Sequence, residues 1–345
     1  MRLRRTDVVA AGITRRRAGR GFVYFDPDGE RITDKELLER IRGLVIPPAW
    51  RDVWICPWPN GHIQALGTDA AGRRQYLYHP VWREQRDRAK HDRVLDFADR
   101  LPKVRGTLCE HLSRSGASRE RVLAAAIRLL ELGFFRVGSE TYADENGTYG
   151  LATLRRDHVR MRRGVLVFDY LAKGGLPRTQ LVADADVIPV VQTLRRRKDP
   201  NPELLAYRDG AGWHDVRSDD VNAYLREVAE GDFTAKDFRT WHATVLMAVA
   251  LAVSERAARS KTARMRAVRR AYVEVSEYLG NTPAVCKASY VDPRVVDLYS
   301  DGVTIVAALD ELGADVDGGQ LATQGHIERA VLDMLRQPER AANRR

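Results

Sequence analysis

The chain changes character near residue 81, and this change constrains its fold more than any other sequence feature. Between Val45 and Trp82, prolines are frequent, and four of the six tryptophans of the chain occur there. Short apolar segments such as Val53–Ile55 and Tyr76–Tyr78 alternate with turn signals such as Asn60-Gly61. Because these turn residues break helices, we predict a small β-rich unit over residues 1–88.

Beyond residue 81 the apolar residues recur at helical spacing. The charged run from 83 to 93 is helical in pattern, and we interpret it as the connection between two domains. The amphipathic helices predicted after it are Arg93–Leu101, Arg119–Leu132, Ser218–Ala229 and Thr240–Ser260. The predicted N-caps are Ser118 and Ser218, and the predicted stops are Gly133 and Gly231.

One strand pair interrupts the helices. Residues 164–171 and 178–183 are apolar and β-branched, and they flank Ala172-Lys173-Gly174-Gly175, whose glycines can supply positive φ at a tight turn. The predicted fold class is therefore α+β. A β-rich N-terminal domain over residues 1–88 precedes a mainly α-helical domain over residues 89–345 that contains one β-hairpin.

The charge of the chain predicts a polyanionic partner. Its formal net charge is +10, and residues 256–270 contain seven basic residues and no acidic one. A solvated helix face normally mixes both signs, so this run favours a surface that faces phosphates, with a plain solvated arginine face as the alternative.

Several classes of site are disfavoured. The three cysteines, Cys56, Cys109 and Cys286, form no CxxC pair, and no HExxH spacing occurs, so we expect no disulfide framework, metal or cofactor. We expect Cys286 to be a small buried residue. The Arg-rich N-terminus lacks the apolar stretch of a signal peptide, and the uncharged run 241–253 is too short to span a bilayer. We therefore expect a cytoplasmic protein.

A set of six residues could break a phosphodiester without metal. Such a reaction needs a nucleophilic side chain, fixed cationic donors for the non-bridging oxygens, and an acid that protonates the leaving 5′ oxygen. Candidates for these roles occur in the order Arg136, Lys173, Lys236, Arg239, Asn281 and Tyr290. Each of them alone has an ordinary structural explanation, such as packing, ion pairing or a turn, so only the combination carries weight.

This combination resembles the active-site set of type IB DNA topoisomerases of the poxvirus and bacterial kind. Other stretches agree with the resemblance, which runs from about residue 20 to about residue 310: 45–50, 61–65, 75–79 and 138–150. The resemblance implies relaxation of supercoiled duplex DNA through a 3′-phosphotyrosyl link to Tyr290, without metal or ATP. It also implies that Arg136 and Arg239 clamp the scissile phosphate and that Lys173 and Lys236 protonate the 5′ oxygen.

The resemblance further implies that the N-terminal domain closes over the duplex as a clamp. Gln75, Tyr76 and Tyr142 match family positions that touch DNA. A single clamp around one duplex needs only a monomer, which would be associated with the nucleoid in a bacterium. The chain departs from the poxvirus pattern at Asn281, where poxvirus enzymes carry histidine. An asparagine amide can donate a hydrogen bond, but it cannot act as an acid, so we predict a hydrogen-bonding role only.

Three alternatives stay open on the sequence. A tyrosine recombinase shares the order Arg, Lys, Arg, Tyr, but its second arginine motif is usually His-x-x-Arg, and this chain has Lys236 at the first position. It also shows no obvious C-terminal exchange helix. A non-catalytic DNA-binding protein would explain the charge but not the six placed residues. A metal-dependent nuclease would rely on Asp144 and Glu145, which lie in a run that we predict to be a turn.

Overall fold

The computed structural model describes residues 1–138, 140–255, 257–258, 260–314 and 324–336, except the side chains of residues 141, 142, 144 and 312–314. The chain divides into two compact units, Met1–Asp92 and Arg93–Arg345. An N-terminal antiparallel sheet is thus followed by a mostly helical region, which confirms the predicted α+β class. Within the described residues, no helix is both long and apolar enough to cross a membrane.

The first unit is built on a five-stranded antiparallel sheet with the order β2-β1-β3-β4-β5. The strands are β1 (Ile13–Ala18), β2 (Gly21–Phe25), β3 (Arg51–Ile55), β4 (Ile63–Thr68) and β5 (Arg74–Tyr78). Helix α1 (Lys35–Gly43) follows β2 and begins at Asp34, whose carboxylate accepts from the backbone N–H groups of Glu36 and Leu37. Ile41 of α1 packs with Ile13, Val53, Ile55 and Ala65 in a small core.

The charged run 83–93 is part of a continuous helix, α2 (Pro80–Ser113), which also contains the predicted helix 93–101. The other helices are α3 (Arg119–Gly133), α4 (Glu140–Asn146), α5 (Val187–Arg195), α6 (Ser218–Ala229), α7 (Ala235–Glu255), α8 (Lys261–Leu279), α9 (Pro283–Ser289), α10 (Pro293–Ser300), α11 (Val306–Ala314) and α12 (His326–Arg336). The run that contains Asp144 and Glu145 was predicted as a turn but forms the end of α4.

Helices α3 and α7 form the centre of the second unit. Ten residues of α3 and fourteen of α7 are buried, including Trp241, which has no exposed surface. Helix α7 begins five residues earlier than the predicted Thr240, so Lys236 and Arg239 lie in its first turns. Their spacing of three residues therefore places them on one helical face.

The predicted hairpin is present, but the second unit contains more strands than one hairpin. Strands β7 (Val165–Ala172) and β8 (Leu176–Val182) are joined at the turn that carries Lys173, where Gly174 and Gly175 have φ of 84° and 71°. Strand β6 (Val159–Arg162) extends this sheet, and β9 (Ala206–Asp209) pairs with β10 (Gly212–Asp215). The prediction missed these strands because they are only four residues long and rich in polar residues.

The helix termini were predicted with mixed success. The Ser118 hydroxyl caps α3, which ends at Gly133 as predicted. The predicted N-cap Ser218 is wrong, because Arg217 is the N-cap of α6 and its backbone N–H donates to Asp220 at 2.9 Å. Helix α6 ends at Ala229 as predicted, and the Gly231 N–H closes it by donating to the Arg226 carbonyl at 3.2 Å, although the residue that adopts the left-handed conformation is Glu230, with φ of 50°.

The C-terminal helix α12 was not predicted. Its apolar face is buried, and its Glu328 carboxylate accepts from Trp241 Nε1 at 2.8 Å and from Arg105 Nη1 at 2.7 Å. Arg105 also donates to the carboxylate of Glu131, which accepts from Arg128 at 2.6 Å. This buried network connects α12 to α2, α3 and α7, and so fixes the helix that carries Lys236 and Arg239.

Candidate active site

Arg136 emerges from the core directly after α3. Phe134 adopts a left-handed conformation with φ of 54°, and the buried Phe135 packs its ring 5.1 Å from that of Phe168. The segment that follows is held by a hydrogen bond from Leu151 N–H to the Arg136 carbonyl at 2.8 Å. Gly138 lies against Gly150, where a Cβ on Gly138 would come within 3.0 Å of the Gly150 Cα. This close approach, together with φ of 92°, explains the glycine at position 138.

Arg239 joins three parts of the second unit. Its guanidinium donates to the carbonyl of Phe134 at 2.6 Å and to the carbonyl of Leu279, the last residue of α8, at 2.7 Å. The side chain is buried, and its Nε has no hydrogen-bond partner. Burial, and then the nearby charge of Arg136, lower the pKa of Arg239 to about 10. The guanidinium nevertheless stays charged at neutral pH.

Asn281 follows Gly280, which ends α8 with φ of 60°. The Asn281 side-chain oxygen accepts a hydrogen bond from Arg136 Nη2, which also donates to the Gly280 carbonyl at 2.8 Å. The amide nitrogen of Asn281 is buried and has no partner. Because the oxygen is occupied by Arg136, the free capacity of this side chain is that of a donor. An unsatisfied buried donor is costly, and it indicates a ligand that accepts hydrogen bonds.

Tyr290 lies at the end of the short helix α9. Its backbone N–H donates to the carbonyl of the buried Cys286 at 3.0 Å, and its ring centre is 5.3 Å from the Arg239 guanidinium carbon. Burial acts to raise the pKa of Tyr290, but the charge of Arg239 and its hydrogen bond to the tyrosine, with the charges of Arg136 and Lys236, lower it below its usual value. The surrounding cations therefore stabilise the phenolate, the nucleophilic form, relative to that of an isolated tyrosine.

A cavity of about 250 Å³ brings the candidate residues together. Those that line it are Arg136, Lys173, Lys236, Arg239 and Tyr290, beside Val137, Gly138, Thr148, Tyr149, Gly150 and Ala235. Asn281 joins them through its hydrogen bond to Arg136. Lys173 reaches the cavity from the exposed turn between β7 and β8, whereas Lys236 reaches it from α7. The arrangement can hold an anion, attack it with a phenolate and donate protons to it.

Arg178 of β8 was not singled out in the sequence. Its guanidinium donates to the carbonyl of Glu277 at 2.9 Å and to that of Tyr278, and so binds the end of α8 to the sheet that carries Lys173. It lies close enough to Arg136 for that charge to lower its pKa, after the larger effect of burial. Tyr149, which lines the cavity, was also missed. The sequence carries no local signal for Arg178, because its role depends on contacts between distant segments, whereas Tyr149 lies in the stretch 138–150 that shares the family resemblance.

Of the three DNA-contact candidates, Gln75 and Tyr76 are distant from these residues in the chain, whereas Tyr142 lies between Arg136 and Tyr149. Gln75 of β5 donates to the Asp69 carboxylate at 3.0 Å. Tyr76 is partly exposed, and its ring stacks on that of Tyr78 with centroids 6.0 Å apart. Tyr142 belongs to α4, but its side chain lies outside the described part of the structure.

Comparison with known proteins identifies the class. The sequence family described as the catalytic core of eukaryotic DNA topoisomerase I matches residues 79–304, and the N-terminal domain of bacterial DNA topoisomerase IB matches residues 21–69. An antiparallel N-terminal sheet followed by a mostly helical unit agrees with type IB topoisomerases.

Full-length relatives agree. The chain is 30% identical over 296 residues to DNA topoisomerase 1B of Acanthamoeba polyphaga mimivirus, which covers 84% of this chain and 88% of that protein. It is 20% identical over 292 residues to DNA topoisomerase 1B of vaccinia virus (strain Copenhagen), covering 80% and 90% of the two chains. The chain therefore belongs to the type IB DNA topoisomerase family and is an isomerase that acts on DNA.

Proposed function

We propose that this enzyme relaxes supercoiled duplex DNA by cleaving one strand through a 3′-phosphotyrosyl intermediate at Tyr290, allowing strand rotation and religating the break, without metal or ATP. The observation that carries the proposal is the placement of Tyr290 against Arg239 in a cavity that Arg136 and two lysines also line. We propose six catalytic residues. Five of them line the cavity and the sixth is Asn281: Arg136, Lys173, Lys236, Arg239, Tyr290 and Asn281.

In the cleavage step, Tyr290 loses its phenolic proton to solvent, and the phenolate oxygen attacks the scissile phosphorus. A bond forms between phosphorus and the phenolic oxygen, and the bond from phosphorus to the 5′ oxygen breaks. Arg136 and Arg239 bind the non-bridging oxygens, on which negative charge is concentrated as the pentavalent transition state forms. The free amide N–H of Asn281 donates to one of the same oxygens, which satisfies its buried donor.

The departing 5′ oxygen needs a proton, because an alkoxide is a poor leaving group. Lys173 and Lys236 line the cavity from different elements and supply this proton. In religation the same groups act in reverse: the 5′ hydroxyl attacks the phosphotyrosyl bond, a lysine accepts its proton, and the Tyr290 phenolate leaves. One phosphodiester replaces another in each step, so the bond energy is retained and no ATP is consumed.

We further propose that the N-terminal domain, residues 1–88, acts as a DNA clamp with Gln75 and Tyr76 towards the duplex, and that Tyr142 contacts DNA as well. In this proposal the enzyme works as a monomer around one duplex, in the cytoplasm, and on the nucleoid if its host is a bacterium. The exposed and stacked aromatic rings of Tyr76 and Tyr78 support a surface for nucleic acid on β5.

The test is relaxation of supercoiled plasmid in EDTA without ATP, with wild type beside Tyr290→Phe. Wild type is expected to relax the plasmid and form a covalent adduct on a nicked suicide substrate, whereas Tyr290→Phe binds DNA but does neither. Tyr278→Phe, at an exposed tyrosine outside the cavity, is the matched control. Loss of wild-type activity in EDTA, or an adduct formed by Tyr290→Phe, would contradict the mechanism.

A further inference from the structure

Helix α8 presents a stripe that is typical of a face packed against another helix. Lys261, Met265, Val268 and Tyr272 follow one another at intervals of four, three and four residues, which places them on one side of the helix. Towards the C-terminal end of α8 the stripe becomes covered, and Tyr272 is buried although it still lines a groove that begins there. In the N-terminal half the stripe is open, and half of the Met265 surface is exposed (50%).

The open half of the stripe forms one wall of a groove of about 910 Å³ between α8, α9 and α10. Its apolar residues are Met265, Val268, Tyr272, Val273, Pro283, Ala284 and Val296. Its cations are Lys261, Arg264, Arg269 and Lys287, with Ser300 as the remaining residue, and no carboxylate lines the groove among the described residues. Three of the seven basic residues in 256–270 therefore lie at the rim of an apolar groove and not on an open polar surface.

The chemistry of this groove selects among possible occupants. Duplex DNA would match the cations but leave the apolar floor uncovered, whereas an apolar centre with a charged rim is the arrangement of a protein-binding surface. A second copy of the chain would bring a net charge of +10 towards the same cations. An amphipathic helix with acidic flanks matches both the apolar floor and the cations. Its apolar face would pack against the stripe of α8, and its carboxylates would pair with the four cations.

We propose that the groove between α8, α9 and α10 is a docking site for an acidic amphipathic helix of a partner protein. The cavity that contains Tyr290 is lined by other residues, so this proposal does not rest on the proposed catalytic mechanism. Methionine at the open end suits such a site, because its flexible thioether adapts to different apolar side chains.

The experiment is a display library of random 16-residue peptides, selected on the intact enzyme and counter-selected on Met265→Glu. The peptides that are enriched are then measured by fluorescence anisotropy. We expect them to carry net negative charge and apolar residues at helical spacing. Their affinity should fall at least tenfold in Met265→Glu and in Lys287→Glu, but change less than twofold in Arg270→Glu. Arg270 is an exposed cation of α8 outside the groove, and serves as the matched control.

Three results would overturn the proposal. The first is that no peptide is enriched over the counter-selection, or that the enriched peptides are neutral or basic. The second is that Met265→Glu weakens binding of a 30-base-pair duplex tenfold while Arg270→Glu does not, which would assign the groove to DNA. The third is that sedimentation shows a dimer of wild type and a monomer of Met265→Glu, which would assign it to a second copy. Plasmid relaxation by Met265→Glu at the wild-type rate shows that the variant is folded.

Discussion

Replacing Asn281 by alanine removes the free amide donor from the site and retains every cation, although Arg136 loses the side-chain oxygen of Asn281 and keeps only its hydrogen bond to the Gly280 carbonyl. In the proposed transition state this donor is the amide nitrogen that has no partner in the protein. A single hydrogen bond to a charged group contributes about 1.5–3 kcal/mol, which corresponds to roughly a 10- to 100-fold slower cleavage rate. The loss is expected in the chemical step, because the amide acts on the phosphate oxygen and not on DNA at a distance.

The cleavage rate of Asn281→Ala is best compared with that of Arg136→Ala. That change removes a charged fork which, besides the phosphate, holds Asn281 and the Gly280 carbonyl. Removing a donor of this kind costs about 10²–10³-fold in rate where it stabilises developing charge, and here the positioning of Asn281 is lost as well. We therefore expect Arg136→Ala to be slower than Asn281→Ala.

The assay is single-turnover cleavage of a suicide substrate at saturating enzyme, with DNA affinity measured separately. Asn281→Asp adds a test of sign: a carboxylate beside Arg136 would repel the phosphate, so this variant should be slower than Asn281→Ala. Asn281→His should remain active, since an imidazole also donates a hydrogen bond. If Asn281→Ala loses as much rate as Arg136→Ala, or if Asn281→Asp retains the wild-type rate, Asn281 is not a neutral donor to the phosphate.

Further variants test the electrostatics and the framework of the site. Because nearby cations lower the pKa of Tyr290 below its usual value, the cleavage rate should rise with pH as the phenolate forms, and Arg136→Ala should move that rise to higher pH; a pH profile that does not move would exclude this coupling. Arg178→Met leaves two carbonyls at the end of α8 without their donor, so it should slow cleavage about tenfold with unchanged DNA affinity. It should also lower the free energy of unfolding, measured in urea, by about 1–3 kcal/mol. The control Arg162→Met, at an exposed position of β6, should change neither the cleavage rate nor the free energy of unfolding. Glu328→Ala removes one of the two carboxylates of the partly buried Arg105 and the acceptor of Trp241 Nε1, and should lower the free energy of unfolding by about 1–3 kcal/mol; an unchanged free energy of unfolding would show that α12 is held by its apolar face alone.

Local patterns predicted the elements that have strong local causes. The uncharged run after Thr240 predicted a buried helix, and the glycines after Lys173 predicted the turn that presents this lysine. For these two features the short-range signal and the tertiary structure agree. The residues that line the cavity beside Tyr290 were singled out in another way, by their combined resemblance to type IB topoisomerases, since each of them alone is a weak signal.

Other features depend on contacts that no short segment encodes. Ser218 is a good N-cap residue, but the chain enters α6 one residue earlier, because Asp220 accepts from the Arg217 backbone. Helix α12 carries an amphipathic pattern that was missed, with apolar residues at 327, 331, 332 and 335. What this segment does not encode is the burial of Glu328 against Trp241 and Arg105. The sequence around Arg178 gives no sign of its role, because its hydrogen-bond partners, the carbonyls of α8, are about a hundred residues away.

Arg239 of α7 is hydrogen-bonded to two other segments, and this arrangement bears on how the enzyme avoids damaging DNA. An enzyme that breaks DNA strands is hazardous if a damaged or half-folded copy can cut without being able to reseal. Here the guanidinium proposed to hold the phosphate is itself held by Phe134 after α3 and by Leu279 at the end of α8. A molecule in which either hydrogen bond is broken therefore no longer holds Arg239 in position to bind the phosphate. Such a molecule is expected to be inert rather than an uncontrolled nuclease.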